Sequence, residues 1–292
     1  MSGPAPTVVW LDGNLRDPAV AAVHWSDHGV TVGDGVFETL KLVDGRPFAL
    51  RRHLTRLGRS AHGLGLTPPV EEQVLDAVDA VCAAWGPRPG RLRITVTAGP
   101  GPMGSERGPA GPTLLVAATE AAPPPTGTGA IVATVPWTRN EHGALAGLKT
   151  TSYGENVVAL ARAREVGAGE ALLANTAGRL CEGTGSNVFV VDDDDVLVTP
   201  PLHSGCLAGI TRELLLEALE RAGTPVVERD LPLDVLGRCP AAALTSSTRD
   251  VQAIATIILE GGPRPLDVDH PLLVGARRAW AEAYGPGRSI DP

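Results

Sequence analysis

Lysine is almost missing from this chain of 292 residues: its 25 lysines and arginines include only two lysines, Lys41 in "FETLKLVDG" and Lys149 in "ALAGLKTTSYGEN". Arginine meets nearly every need for positive charge, but a guanidinium stays protonated and cannot act as an amine nucleophile. A lysine among apolar neighbours can lose its proton and form a Schiff base. Lys41 falls on a strand expected to be exposed, where chance survival accounts for it. Lys149 has to be read with its neighbours. A basic stripe is also missing, and a net charge of -8 with a pI near 5.4 argues against nucleic acid as a partner and for small molecules. Cys82, Cys181, Cys206 and Cys239 form no CxxC pair and have no histidine at metal-ligand spacing, so neither a metal site nor a disulfide framework is indicated and reduced thiols are expected. No uncharged run approaches bilayer-spanning length, and the opening "MSGPAPTVVWLDG" has no basic segment followed by an apolar one. The expectations are no membrane association and a cytoplasmic location.

What is present is enough apolar material, 43% of residues, for one large or two moderate globular domains. A strand "VVWLDG" opens the chain. In "VFETLKLVDGRPFAL" two apolar-rich runs flank Asp44-Gly45, a hairpin dipeptide. Helical spacing follows in "RRHLTRLGRSAHGLG" and "VEEQVLDAVDAVCAAW", then strands in "RLRITVTAG" and "PTLLVAAT". "EAAPPPTGTG" can continue neither helix nor ladder, which puts an N-terminal α+β domain at 1–119, a connector at 120–129 and a C-terminal domain at 130–292. The second part mixes strands ("AIVATVPW", "EALLAN", "NVFVV", "VLVTP") with helices ("GENVVALARAREVG", "TRELLLEALERAG", "PLLVGARRAWAEAY"), again an α+β pattern.

Several segments could carry chemistry. Tyr153 follows Lys149 by four residues, and Glu182 lies in "CEGTGSN". In "LAGITREL", Gly209, Ile210 and Thr211 open a helix, where backbone N–H groups favour an anion; "LTSSTRD" lines up Thr245, Ser246, Ser247 and Thr248. Each has a plain alternative, an N-cap for the first and a polar strand end for the second. Together, an amine, a phosphate cradle and a carboxylate are what pyridoxal 5'-phosphate requires: lysine for its aldehyde, donors for its phosphate, and an acid for its pyridine nitrogen.

In "TVGDGVFETL", "HLTRL", "LKTTSYGENVVALARA", "LCEGTGSNVFVV", "LAGITREL" and "LTSSTRDV" the chain resembles, in order and across nearly its whole length, the class IV aminotransferases. These are the fold-type IV pyridoxal phosphate enzymes, among them branched-chain and D-amino acid aminotransferases and 4-amino-4-deoxychorismate lyases. The resemblance implies a smaller N-terminal domain, a larger pseudo-barrel C-terminal domain and a homodimer. It also implies that Lys149 bonds the cofactor aldehyde, Glu182 faces the pyridine nitrogen and Tyr153 bonds the ring hydroxyl. Arg56, Ile210, Thr211 and Ser247 would hold the phosphate, and His53 would be structural.

Thr39 after the Phe-Glu pair resembles the lyases, where branched-chain aminotransferases usually have glycine; a β-forming residue on a strand is the plain alternative. Ala98 stands where many lyases and D-amino acid enzymes carry arginine, and the Arg-x-His pair of the latter is missing. A lyase substrate with two carboxylates needs fixed cations, which Arg139 and Arg249 could supply if not taken by ion pairs; Thr248, next to Arg249, joins Thr39 as a substrate contact. The expected function is 4-amino-4-deoxychorismate lyase, with a branched-chain-type aminotransferase as the alternative.

Overall fold

A computed structural model describes residues 6–121 and 129–292, which group into two compact units. Residues 122–128 of the expected connector lie outside the described residues. The first unit contains 6–121 together with 148–153 and 289–292; the second contains 129–147 and 154–288. The segment bearing Lys149 and Tyr153 therefore groups with the first.

The first unit runs β1 (Thr7–Leu11), β2 (Asn14–Arg16), α1 (His28–Thr31), β3 (Gly35–Val43), β4 (Arg46–Pro47), α2 (Leu50–Gly63), α3 (Glu71–Trp85), β5 (Gly90–Thr97) and β6 (Thr113–Thr119). Its strands form one antiparallel sheet in the order β2-β1-β6-β5-β3-β4. The hairpin after β3 turns at Asp44 (φ 49°) and Gly45 (φ 75°), the two positive-φ positions that a two-residue turn requires. A side chain on Gly45 would run into the Gly86 carbonyl. Strand alternation sends Val36, Leu40, Leu92 and Ile94 to one face, where they are buried with Leu57 and Ala61 of α2 and Val78 of α3. The other face carries Phe37, Thr39 and Lys41 of β3 beside Arg91, Arg93 and Thr95 of β5. Lys41 is half-buried rather than exposed, its ammonium 4.5 Å from the Phe48 ring centre.

Helix α2 follows Ala49, which is held in the left-handed region (φ 56°) and offers no side-chain cap. The end of the chain supplies partners instead: Ala49 N donates to Ile290 O at 2.8 Å and Arg51 N to Asp291 Oδ1 at 3.1 Å. The buried stripe of α2 is His53, Arg56, Leu57, Ser60 and Ala61. Its spacing is helical, but three of the five are polar.

The second unit runs β7 (Ala130–Arg139), α4 (Gly154–Glu165), β8 (Glu170–Asn175), β9 (Leu180–Gly183), β10 (Asn187–Val191), β11 (Leu197–Thr199), α5 (Ile210–Arg221), β12 (Val226–Glu228), β13 (Ala242–Ser246), β14 (Asp250–Leu259), β15 (Gly262–Pro265) and α6 (Pro271–Tyr284). Its mixed sheet is ordered β12-β11-β10-β13-β14-β7-β8-β9, with β15 also on β14. The pairs β14–β7, β7–β8 and β11–β12 are parallel. Every residue of β8, β9 and β10 is buried, which is why "ALLA" and "VFVV" read as apolar runs rather than alternating ones and why the polar residues beside them, Glu170, Asn175, Glu182 and Asn187, are buried too. No helix of the described residues is long and apolar enough to cross a membrane.

Candidate active site

In the first unit the segment 148–153 lies along β3. Val36 bridges Thr150 in antiparallel fashion, Phe37 N donates to Lys149 O at 3.0 Å and Thr151 N to Gly35 O at 2.8 Å. Lys149 N donates to Ser60 Oγ of α2 at 3.2 Å, and the hydroxyls of Thr151 and Ser152 both donate to Gly33 O. This backbone pairing puts Lys149 opposite Phe37, and its Nζ lies 4.5 Å from the Phe37 ring centre. Tyr153 meets the same ring edge-on at 5.3 Å, with its own ring centre 6.0 Å from Lys149 Nζ. Arg93 stacks its guanidinium 3.8 Å from the Phe37 ring centre and donates to Thr95 Oγ1 at 3.1 Å. Partial burial there lowers the Arg93 pKa. Thr39 is the cross-strand partner of Arg93 and shares this face. Lys149, Phe37, Thr39 and Arg93 thus converge on one side of one sheet.

On the opposite face, Glu38 is fully buried and accepts three bonds: Arg56 Nε to Oε1 at 2.8 Å, Arg56 Nη2 to Oε2 at 2.6 Å and His53 Nδ1 to Oε2 at 2.6 Å. Burial alone would raise the Glu38 pKa, but the charge and hydrogen bonds of Arg56 and the bond from His53 overcome it and bring it down to about 2. Burial lowers the His53 pKa, only partly offset by Glu38, so His53 is held neutral. Two of the five N–H groups of Arg56 are directed at Glu38.

In the second unit, Glu182 lies on β9, buried. Leu207 N donates to its Oε2 at 2.9 Å, and Arg139 Nε stands 3.3 Å from its Oε1, near enough for charge pairing but not aligned for a hydrogen bond. Arg139 Nη1 donates to Asn156 Oδ1 at 3.1 Å and lies 3.4 Å from Glu155. The contacts of Glu182 with Leu207 N and Arg139 complement a negative carboxylate. Arg249 donates to Gln252 Oε1 at 2.7 Å and to Glu170 Oε2 at 3.3 Å, and Glu170 also accepts from Thr184, Gly185 N and Ser186. Both candidate substrate arginines are therefore engaged with carboxylates.

Helix α5 begins at Ile210 and Thr211, both buried, behind Gly209, and no side chain caps it. A Cβ on Gly209 would collide with the Asn187 carboxamide, which is itself fixed by Nδ2 donating to Leu207 O at 2.8 Å. Asn187 pairs across β10–β13 with Thr245, whose buried Oγ1 has no hydrogen-bond partner among the described residues. Strand β13 ends at Ser246, so Ser247 and Thr248 occupy the turn that follows it, half-buried. Uncapped helix N–H groups and an orphaned buried hydroxyl on the neighbouring strand fit a phosphate.

A family model described as amino-transferase class IV matches residues 35–257. The chain belongs to the class IV aminotransferases. It is accordingly a pyridoxal phosphate-dependent enzyme of the α+β fold-type IV class, and the anion cradle of the second unit fits the phosphate of that cofactor. Among relatives of this class IV aminotransferase, a Methanocaldococcus jannaschii protein provisionally named a branched-chain-amino-acid aminotransferase is 32% identical over 252 residues, covering 85% of this chain and 87% of that one. A bifunctional aminodeoxychorismate lyase/D-amino acid transaminase of Mycobacterium tuberculosis is 30% identical, covering 74% and 79%. The crystal structure of a branched-chain aminotransferase from Thermoproteus uzoniensis with norvaline superimposes with a TM-score of 0.85 at 29% identity, covering 94% and 93%.

Glu38, Phe37, Arg93 and Asn187 were not singled out from the sequence. The readable signal was Glu38, an acid inside the apolar run "VFETLKL", which must be either exposed or paired.

Proposed function

We propose that this class IV aminotransferase relative is a 4-amino-4-deoxychorismate lyase, releasing pyruvate and 4-aminobenzoate. The supporting observation is the face shared by Lys149, Thr39 and Arg93: an amine, a hydroxyl and a guanidinium on neighbouring positions around Phe37. A substrate with two carboxylates needs a fixed cation close to the reacting amine, and Arg93 fills that requirement while Arg139 and Arg249 face Glu182 and Glu170. The cofactor, when bound, supplies an aldehyde for Lys149 and a ring that accepts electrons from a bond broken beside the substrate nitrogen. Lys149 holds and moves the proton, and Thr39 orients the enolpyruvyl group. Glu182 presents its carboxylate to the pyridine nitrogen, and Tyr153 bonds the ring hydroxyl. The N-terminal turn of α5 at Ile210 and Thr211, with Ser247 and Arg56, holds the phosphate, and Thr248 borders the substrate.

The second reading, a branched-chain-type aminotransferase, is favoured by the names of the Methanocaldococcus and Thermoproteus proteins. Purified holoenzyme mixed with aminodeoxychorismate should yield 4-aminobenzoate and pyruvate; product only from amino acids with 2-oxoglutarate would overturn the lyase assignment. Borohydride should fix the cofactor on Lys149 and not on Lys41, and Lys149→Ala should lose at least ~10³-fold in turnover. A chain that takes up no cofactor would instead be a binding module on this fold. We also infer a homodimer, in keeping with the exposed apolar side chains of Val20, Trp25, Val30 and Met103, and a cytoplasmic location, in keeping with four unpaired cysteines. Sedimentation and fractionation test these two.

A further inference from the structure

Glu170 opens β8 with its side chain only 4% exposed, a burial that a glutamate rarely has unless it is paired. Its place follows from strand register. Leu172 and Leu173 pair with Gly183 and Glu182 across β8–β9, so two residues earlier the same antiparallel ladder sets Glu170 against Gly185, in the loop 184–186 that joins β9 to β10. Its Oε1 accepts from Gly185 N at 3.1 Å and from the Thr184 hydroxyl, and its Oε2 accepts from Ser186 Oγ at 3.2 Å. A fourth donor comes from elsewhere in the chain: Arg249 Nη2, 3.3 Å from Oε2, reaches across from the turn after β13. Four donors are about what the two oxygens of an ionised carboxylate can take. Loop 184–186 follows the strand of Glu182 and leads into Asn187, the residue packed against Gly209 at the start of α5. The turn carries Ser247 and Thr248 directly before Arg249. One buried side chain therefore joins the two segments that flank the anion cradle.

Stability alone does not call for this link, because a buried ion pair can often be replaced by apolar side chains of similar volume without loss. We propose that Glu170 is a positioning residue of the cofactor site, clamping loop 184–186 to the 247–249 turn so that the acid meant for the pyridine nitrogen and the hydroxyl meant for the phosphate keep a fixed separation. It rests on the reading above that Glu182 and Ser247 take those roles. The two sides of the clamp are unequal. Gly185 N–H can only donate, and so can the Arg249 guanidinium; in Glu170→Gln one end of the amide accepts and the other donates, so only one of these two donors keeps its partner. Loop 184–186 is held besides by Thr184 N donating to Ala171 O at 3.1 Å, by Gly183 N donating to Ser186 O at 2.7 Å and by the Asn156 carboxamide on Thr184 O. Arg249, its side chain 26% exposed, keeps only Gln252 Oε1, three residues further on. The amide oxygen therefore stays with Gly185 and Arg249 lets go, which loosens the phosphate end of the site and leaves the pyridine end in place.

The test compares Glu170→Gln and Arg249→Met with the wild-type protein, following the uptake of pyridoxal phosphate and of phosphate-free pyridoxal by the full-length apoprotein and the phosphorus NMR resonance of the bound cofactor. Each variant should bind pyridoxal phosphate about tenfold more weakly and shift the phosphorus resonance, while its affinity for pyridoxal changes by less than about threefold. The double variant should be no weaker than either single one, because both break the same contact. Arg249→Met removes only the partly exposed partner and keeps the measurement open should Glu170→Gln not fold. Lowered thermal stability with wild-type affinity and an unmoved resonance in Arg249→Met would make the contact merely structural and overturn the clamp. Additive losses in the double variant would overturn it too, since Arg249 would then act on the phosphate by itself. Ser247→Ala separates the two levels of inference. If it weakens pyridoxal phosphate binding while Arg249→Met does not, only the clamp falls; if it binds like the wild type with an unmoved resonance, Ser247 does not hold the phosphate and both fall.

Discussion

Glu38, His53 and Arg56 form a buried group whose ionisation is tied to folding. His53 and Glu38 both have pKa values below their ordinary 6.5 and 4.5, so both bind protons more tightly in the unfolded chain, and acid favours unfolding. The contribution of His53 is complete above pH 6.5 and declines below it; that of Glu38 is complete above 4.5 and disappears as the pH falls toward about 2. Urea unfolding at stepped pH should therefore show stability dropping in two stages. Glu38→Gln leaves the Arg56 guanidinium buried without its counter-charge and should lose roughly 3–5 kcal/mol of stability at neutral pH, removing the lower stage with it. At this scale the sequence was uneven evidence. Lys149 stood out because its scarcity and its motif coincide, and the structure sets it against Phe37. Arg93 was not, because alternation along "RLRITVT" tells which residues share a face but not that the neighbour of Arg93 on that face is the ring supporting Lys149.

Among elements, α5 combines a fold constraint with a proposed binding role. Gly209 sits where any side chain would strike the Asn187 carboxamide, and Asn187 cannot move without losing its bond to Leu207 O. Gly209→Ala should cost roughly 1–3 kcal/mol, the scale of a forced close contact, and should weaken uptake of pyridoxal phosphate by the apoprotein as the first turn tilts. Thermal unfolding and a fluorescence titration read the two effects separately. The helix was visible in "TRELLLEALERAG" from its period, and the hairpin after β3 from Asp44-Gly45, because local chemistry determines both. The environment of Lys41 was misjudged for the opposite reason: Phe48, reached across the hairpin, covers a residue that pattern alone leaves in solvent. The polar stripe of α2 likewise looks like a solvated face until Glu38 is placed beneath it.

For the molecule as a whole, order along the chain and membership of a unit are different things. Composition sets an expected connector at 120–129, but it could not reveal that 148–153 pairs with β3 or that 289–292 caps α2, since both depend on contacts between distant residues. The tail contributes Ile290 O to Ala49 N, Asp291 to Arg51 and Pro292 O to Arg52 Nε at 3.0 Å. Removing residues 289–292 should destabilise the protein by roughly 1–3 kcal/mol, measured in urea, through the loss of these bonds and of the only cap that α2 has among the described residues.

The strand-like segment 148–153 has a further consequence for anyone who wishes to dissect the enzyme. Scission at 122–128 would divide the polypeptide but not the first unit's contacts: the leading fragment would lose Thr150, the bridge partner of Val36 on β3, and the tail residues that cap α2. Lys149 would leave with the trailing piece, parted from the Phe37 ring it faces, so the first unit is not a separable module and the leading fragment should not refold alone.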